Sequence, residues 1–193
     1  MSTTTGARPS LSLPEFDTAR LGQRKPEFIS WVSICLASGA QSYVELGTGH
    51  AGYMRAAGIP NVVAVDINNP PFYGIADDRV NYVQGSSYDI DTLRRVTDIL
   101  GGLPDIVFID ADHDGDAPQK DFELWYPVAR LLVGFHDILI PNIAERIWPD
   151  IAFRHPSVEI IGRDLASAQA WQGPGTSPDG RISGGGIGVI FKP

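Results

Sequence analysis

The sequence predicts an α/β domain of the doubly wound class, with a mainly parallel sheet and an antiparallel hairpin at one sheet edge. Three observations support this prediction. Short apolar segments alternate with segments of helical periodicity, a glycine-rich turn follows the first apolar segment, and an acidic residue ends the second. Alternating strands and helices are typical of a parallel sheet that carries helices on both faces.

The predicted elements begin with a helix at Lys25–Ser38, which has Pro26 in its first turn and Gly39 after its end. The further segments with helical spacing are a short stretch after the glycine-rich turn that ends at Ala57, then Asp91–Leu100, Pro118–Leu132 and Asn142–Phe153. The predicted strands are Ser42–Leu46, Val62–Val65, Val80–Gln84, Asp105–Ile109, Val133–Phe135, Val158–Ile161 and Gly188–Phe191. We expect the last two strands to form the antiparallel hairpin.

Length and composition indicate one globular unit. The chain has 193 residues, of which 43% are hydrophobic and 20% charged, and such a chain can bury a core without staples. Residues 1–24 are polar and are predicted to form a flexible N-terminal arm, followed by a single domain over residues 25–193. The formal net charge of −8 argues against a nucleic-acid partner, because such binding depends on clustered Lys and Arg.

The cysteine content and the hydropathy of the sequence indicate the cellular compartment. Cys35 is the single cysteine, so an intramolecular disulfide is excluded and a reducing compartment is favoured. The first residues lack the apolar core of a secretion signal, and no apolar stretch has the length of a membrane span. We therefore expect a cytoplasmic protein without a membrane partner.

The turn after the first predicted strand carries the strongest chemical signal. Its sequence is Gly47-Thr48-Gly49-His50-Ala51-Gly52, and it satisfies the G-x-G-x-x-G pattern of NAD-binding proteins. Asp66, at the end of the second strand, is placed to accept both hydroxyls of a ribose. A nicotinamide-dependent oxidoreductase is therefore one hypothesis. However, Glu45 precedes the turn, and its carboxylate would repel a pyrophosphate but suit a cofactor with a cationic amino-acid end.

The segment Val44–Gly49 resembles motif I of the Rossmann-like class I S-adenosylmethionine (SAM)-dependent methyltransferases. Ile106–His113, Lys120-Asp121-Phe122 and His136-Asp137 resemble a subgroup that contains many small-molecule O-methyltransferases. The resemblance covers the chain from about Ser42 to Ile138. It implies that the methionine end of SAM is bound by Glu45, Gly47, Thr48 and Gly49. It also implies that Asp66 binds the ribose and that Ser86 and Ser87 contact the adenine.

The same resemblance assigns the chemistry to the tips of two strands. Asp110 would face the transferred methyl group and contact the cofactor, and Asp137 ends the next strand. In metal-assisted members of this fold, carboxylates at these tips bind Mg²⁺, so Asp110 and Asp137 are candidate ligands of Mg²⁺ or another divalent metal. His113 or His136 would complete the ligand shell or act as the base, although imidazole suits Mn²⁺, Fe²⁺ or Zn²⁺ better than Mg²⁺. A structural alternative is that the aspartates cap the following helices.

The resulting expectation is SAM-dependent methylation of a hydroxyl group on a small molecule, with Asp110, His113 and His136 as catalytic residues. The alternatives are the NAD-dependent oxidoreductase and a non-catalytic SAM-binding or assembly protein. The fifth strand lacks the Pro-Gly-Gly turn that precedes it in related chains, so either the connection is shortened or the helix ends early. A domain trimmed in this way would rely on a partner chain to cover its substrate side, which makes a homo-oligomer a further expectation.

Three further expectations concern individual side chains. His50, in the glycine-rich turn, is expected to be exposed. Trp148 and Trp171 follow the fifth strand, where substrate lids of this fold lie, and Trp171 is the candidate lid residue. Phe122 and Trp125 have helical spacing and are expected in the core.

Overall fold

The computed structural model describes residues 25–68, 77–162 and 185–193. Its strands are β1 Ser42–Leu46, β2 Asn61–Asp66, β3 Val80–Gln84, β4 Ile106–Ile109, β5 Leu132–His136, β6 Ser157–Ile160 and β7 Ile187–Phe191. Its helices are α1 Lys25–Ala37, α2 Ala51–Ala56, α3 Ile90–Leu100, α4 Ala117–Trp125 and α5 Trp148–Arg154, with a π-helical turn at Ile143–Ile147 before α5. The predicted N-terminal arm and Trp171 lie outside the described residues.

The seven strands form one sheet in the order β3-β2-β1-β4-β5-β7-β6. Strands β1 to β5 are parallel, and β7 runs antiparallel to both β5 and β6. The predicted fold class is thus confirmed, including the antiparallel pair at one edge. β1, β4 and β5 are buried along their whole length, as expected of central parallel strands that are covered on both faces.

Side-chain alternation along the strands creates two core layers. Val44 and Leu46 of β1 point to the layer beneath α3, α4 and α5, whereas Tyr43 points to the layer beneath α1 and α2. Glu45 therefore belongs to the second face, because alternate residues of a strand share a face. The predicted core residues Phe122 and Trp125 are buried, which confirms that expectation, and Cys35 is buried as well.

Two predicted helices differ from the structure. The helix expected at Pro118–Leu132 ends at Trp125, because Pro127 lacks the amide hydrogen that another helical turn needs. The early end replaces the missing Pro-Gly-Gly turn, as the amide of Leu131 donates to the carbonyl of Asp105 at 2.8 Å and directs the chain into β5. The helix expected at Asn142–Phe153 begins as the π-helical turn and becomes α-helical only from Trp148.

The described residues contain no helix long and apolar enough to cross a membrane.

Candidate active site

The candidate site lies where the carboxyl ends of β1, β2, β4 and β5 meet. The strand order reverses between β1 and β4, and open α/β sheets bind ligands at such a reversal. Backbone hydrogen bonds join the residues that follow these strands. The amide of Gly47 donates to the carbonyl of Val65 at 2.8 Å, and the amide of Asp110 donates to that of Leu46 at 2.9 Å. The glycine-rich turn and Asp110 are therefore held side by side.

Gly47 permits this close approach. It has a φ of +86°, and a Cβ atom at this position would lie 2.1 Å from the carbonyl oxygen of Asp110. Real Cβ contacts are not that short, and a positive φ strains any residue with a Cβ. The predicted tight turn at Gly47 is thus a requirement of the fold, because any side chain would push the turn away from β4.

Glu45 lies beneath the turn and is fully buried. Its Oε1 atom accepts hydrogen bonds from the amides of Gly49 at 2.7 Å and His50 at 2.6 Å. These two amides are at the position where a dinucleotide-binding turn offers free N–H groups to a pyrophosphate. Here the protein's own carboxylate already occupies them, so the turn presents negative charge.

Asp66 extends from the end of β2 beside the turn and is partly buried. Its Oδ2 atom accepts a hydrogen bond from the Thr48 hydroxyl at 2.7 Å, and its Oδ1 atom accepts from the Asn68 amide at 2.8 Å. The carboxylate is consequently fixed in place next to the glycine-rich turn. Asp66 thus stays the predicted ribose-binding residue, held beside the glycine-rich turn.

Ser86 and Ser87 lie in the loop after β3, on the other side of β2. The carbonyl of Ser87 accepts a hydrogen bond from the Trp125 indole at 2.6 Å, which ties this loop to α4. The Ser86 hydroxyl is buried and has no hydrogen-bond partner within the described part of the chain. Gly47, Thr48, Asp66 and the two serines thus follow three neighbouring strands at one edge of the sheet.

Asp110, His113, His136 and Asp137 come together at the tips of β4 and β5. The Nδ1 atom of His136 donates to Oδ1 of Asp110 at 2.6 Å. The Nε2 atom of His113 lies 3.7 Å from Oδ1 of Asp110 and 3.6 Å from Oδ2 of Asp137. The Nε2 atom of His136 lies 3.6 Å from Oδ1 of Asp137. All three predicted catalytic residues and both predicted metal ligands therefore form one cluster.

The cluster differs in solvent access from one side chain to the next. The exposed fractions are 28% for His113, 19% for Asp137, 14% for Asp110 and 7% for His136. Asp137 has a φ of +55°, a conformation that Asp tolerates better than most residues, and its Oδ1 atom accepts from the Gly185 amide at 2.5 Å. His113 is hence the imidazole that a substrate can reach most easily.

The short contact between His136 and Asp110 is an ion pair. Burial opposes ionisation of Asp110, but the neighbouring His136 ring, with smaller contributions from His50 and His113, outweighs it and lowers the pKa of Asp110. Burial also disfavours the imidazolium of His136, but the negative charge of Asp110 outweighs it and raises the pKa of His136 to about 9. At neutral pH, His136 therefore carries the proton and Asp110 the negative charge.

His50 differs from its prediction, because it is buried and not exposed. Its Nδ1 atom lies 3.6 Å from Oε1 of Glu45 and 3.5 Å from Oδ2 of Asp110, and its ring stacks on Phe28 with centroids 5.1 Å apart. The sequence signal for the burial of His50 was the apolar start of the short helix that follows it. Four of the six residues of that helix are buried in the structure. His50 thus lies between Glu45 and Asp110, and neither of its ring nitrogens makes a hydrogen bond with a described residue.

Asp121 lies on α4 and is fully buried. Sequence analysis named it only as part of a motif and assigned it no role. Its two carboxylate oxygens have no hydrogen bond of acceptable geometry with any described residue. Burial raises the pKa of Asp121 to about 7; the nearby Ser87 hydroxyl opposes this rise, and the charge of Asp112 adds a smaller contribution to it. The only signal for Asp121 in the sequence was its place in the Lys120-Asp121-Phe122 motif.

Trp148 is not a lid residue. Its ring is buried and packs against Phe135, and a Cβ atom on Gly188 would come within 2.2 Å of it. Its indole donates to Oε1 of Glu159 at 2.7 Å. Trp148 therefore fastens α5 to the β6–β7 edge of the sheet.

Comparison with known proteins identifies the fold. No protein-family model and no curated protein sequence matches the chain. Among solved structures, an O-methyltransferase from Bacillus cereus in complex with SAH has a TM-score of 0.51 and 16% identity, over 94% of this chain and 84% of the other. TomG, an O-methyltransferase from Streptomyces achromogenes in complex with SAM, has a TM-score of 0.52 and 13% identity, over 89% and 81%.

A third similar structure is the MycE methyltransferase of the mycinamycin biosynthetic pathway in complex with Mg and SAH, with a TM-score of 0.51 and 16% identity. The alignment covers 79% of this chain but 45% of MycE, so the chain spans less than half of that relative. At these identities the comparisons define the fold alone: the chain shares a Rossmann-like fold with these SAH- or SAM-bound methyltransferases.

Proposed function

We propose that the protein is a SAM-dependent methyltransferase that acts on a hydroxyl group of a small molecule. The observation that carries the proposal is the position of Glu45. Its carboxylate occupies the amides of Gly49 and His50, so the turn offers negative charge where a cofactor binds. SAM carries a positive sulfonium and an ammonium group at its amino-acid end, and both are attracted by negative charge.

The nicotinamide alternative fits the site less well. A dinucleotide needs free amides at the start of the helix after the glycine-rich turn, and here those amides are engaged. The sheet also departs from the six-stranded dinucleotide-binding order, because the antiparallel β7 lies between β5 and β6. The three similar structures contain SAH or SAM, which supports the same choice of cofactor.

The proposed reaction is an in-line displacement. The acceptor oxygen forms a bond to the methyl carbon as the carbon–sulfur bond breaks, and the electron pair of that bond remains on sulfur. The protein contributes positioning and removal of the hydroxyl proton. We assign proton removal to His113, which is the most accessible imidazole of the cluster. Asp110 orients His113, and His136 holds Asp110 in its ionised state.

The residues that would hold a divalent metal are Asp110 and Asp137, which lie beside the two imidazoles of the cluster. Mg²⁺ is usually held by one or two carboxylates and keeps several waters, whereas imidazole ligands suit Mn²⁺, Fe²⁺ or Zn²⁺ better. One oxygen of Asp110 is also engaged by His136 at 2.6 Å. The assignments above therefore use only side chains of the chain.

Calorimetric titration of the purified chain tests the cofactor. We expect micromolar binding of SAH, equivalent to about −8 kcal/mol, and no binding of NAD. Glu45→Gln should weaken SAH binding about tenfold, because the negative charge is lost, whereas the exposed Glu123→Gln on α4 should bind as the wild type does. Binding of NAD in place of SAH would refute the proposal.

Screening of hydroxylated small molecules with SAM then tests the reaction. Methyl transfer that is lost in His113→Ala, with SAH affinity kept, would support the assigned base. SAH binding without transfer to any acceptor would instead favour the non-catalytic SAM-binding protein. Light scattering of the same sample tests the predicted homo-oligomer.

A further inference from the structure

We infer that Asn142 is a positioning residue: its side-chain amide holds the loop that carries His113, and so fixes the imidazole between Asp110 and Asp137. The Nδ2 atom of Asn142 donates to the carbonyl oxygens of His113 at 3.0 Å and Gly115 at 2.9 Å. The inference rests on the proposed function for the role of His113 as the base, but the position of the His113 ring can be measured without methyl transfer.

The loop at residues 111–116 follows β4 and carries His113. Its own hydrogen bonds are local, such as that from the Asp114 amide to Oδ1 of Asp112 at 2.9 Å. Within the described part of the chain, the two bonds from Asn142 are the hydrogen bonds that join this loop to a segment distant in sequence. The backbone of His113 therefore depends on Asn142 for its place relative to the tip of β5.

Asn142 directly precedes the π-helical turn Ile143–Ile147, where an asparagine ordinarily accepts a hydrogen bond from an early amide of the helix. Here its side chain makes no such capping bond. The carbonyl of Ile140 instead accepts from the amides of Ile143 and Ala144 at 2.9 and 2.7 Å. The side chain of Asn142 thus reaches across to the loop after β4, in a region of π-helical geometry that is frequent at functional sites.

Both donor hydrogens of the Asn142 amide are used, one for each carbonyl of the loop. Its Oδ1 atom accepts from Nη1 of Arg146 at 2.9 Å. This bond selects the orientation of the amide, because a flipped amide would place its NH₂ group against the guanidinium and its oxygen against two carbonyls. No donor is left for a substrate, so Asn142 acts through His113.

The side-chain contacts of His113 are too long to fix its ring on their own. Its Nε2 atom lies 3.7 Å from Oδ1 of Asp110 and 3.6 Å from Oδ2 of Asp137, and both distances exceed those of a hydrogen bond. The backbone must therefore supply much of the restraint. Such restraint matters for proton removal, because a displacement of about 1 Å can lower a rate about 100-fold.

NMR of the full, tag-free chain with isotope-labelled histidine tests the inference. The chain contains four histidines, so the variant His113→Gln assigns the ring signals of His113. Asn142→Leu keeps the size and branching of the side chain but removes both donors. It should shift the ring signals of His113 towards those of a free imidazole, while the signals of His50 and His155 stay unchanged.

Arg146→Gln is the matched control, because it loses the bond to Oδ1 of Asn142 but keeps both donations to the loop. It should leave the His113 signals in place, as should Glu145→Gln, an exposed position on the same turn. If Asn142→Leu fails to fold, the wild type provides the test. The side-chain amide hydrogens of Asn142 should exchange with solvent more slowly than those of Asn81, which is exposed on β3.

Unchanged His113 signals in Asn142→Leu would overturn the inference, as would equal shifts in all four histidines, which indicate a general loss of structure. Exchange of the Asn142 hydrogens as fast as those of Asn81 would do the same. Calorimetry with SAH separates the inference from the proposed function. A His113 shift in a chain that does not bind SAH refutes the proposed function alone, whereas SAH binding with an unmoved His113 refutes only the positioning role.

Discussion

The buried carboxyl group of Asp121 allows a direct measurement of how burial controls ionisation in this protein. Burial raises its pKa from 3.8 to about 7, so between these values the folded chain holds a proton that the unfolded chain releases. Stability must therefore fall as pH rises through this window, and it reaches its lower plateau above about pH 7. Asp121→Asn keeps the shape of the side chain but cannot ionise, so it should remove this loss.

The magnitude follows from the two pKa values of Asp121. A difference of about 3 between 3.8 and about 7 corresponds to at most about 4 kcal/mol, because each pKa unit is worth about 1.4 kcal/mol. Much of this loss is reached between about pH 5 and pH 8. We expect Asp121→Asn to gain about 2–3 kcal/mol of unfolding free energy over the wild type across that interval.

Urea unfolding, followed by tryptophan fluorescence at several pH values from 5 to 8, measures this gain. Asp98→Asn is the matched control, because Asp98 is exposed on α3, and it should show no such pH dependence. A gain of the same size at every pH would show that the pKa of Asp121 is not raised by folding. A variant that is less stable than the wild type at pH 8 would show that the ionised carboxylate stabilises the folded chain. Either result would refute the reasoning.

Three further variants test other parts of the structure. Gly134→Ala would place a Cβ atom 2.5 Å from the Phe108 ring and 2.7 Å from Trp31, so we expect a loss of about 1–3 kcal/mol, and an unchanged urea midpoint would contradict it. Asp66→Asn should weaken SAH binding by about tenfold or more, since hydrogen bonds to charged groups are worth about 1.5–3 kcal/mol, with little change in thermal stability. Trp125→Phe loses the 2.6 Å indole hydrogen bond to the loop after β3 and should lower the free energy of unfolding by about 1 kcal/mol. A calorimetric SAH affinity equal to that of the wild type would show that the loop does not need this hydrogen bond to bind the cofactor.

The central strands could be predicted from the sequence because their burial is encoded locally. β1 begins and ends at the predicted residues, since its apolar residues Tyr43, Val44 and Leu46 are followed directly by Gly47. The predicted end of α4 was wrong for a different reason. Apolar residues continue at helical spacing beyond Trp125, and this pattern outweighed Pro127, although the missing amide of Pro127 decides where the helix ends.

The candidate site was predictable in its members but not in their contacts. Asp110 and Asp137 follow neighbouring parallel strands, so their proximity follows from the fold. The burial of His50 depends on the Phe28 ring of α1 and on Glu45, which are separated from it along the chain. Asp121 likewise owes its burial to the loop after β3. Such properties arise only when distant elements pack together.

The carboxylate of Glu45 also links the stability of this domain to its choice of cofactor. It satisfies two amides of the glycine-rich turn, and each amide left buried without a partner would cost about 1–3 kcal/mol. A substitution that removed the negative charge and the acceptor together would free the amides for a phosphate, but it would also weaken the turn before any new ligand arrived. In evolutionary terms, the chain cannot drift towards dinucleotide binding by one neutral step. A compensating change elsewhere in the fold would have to come first.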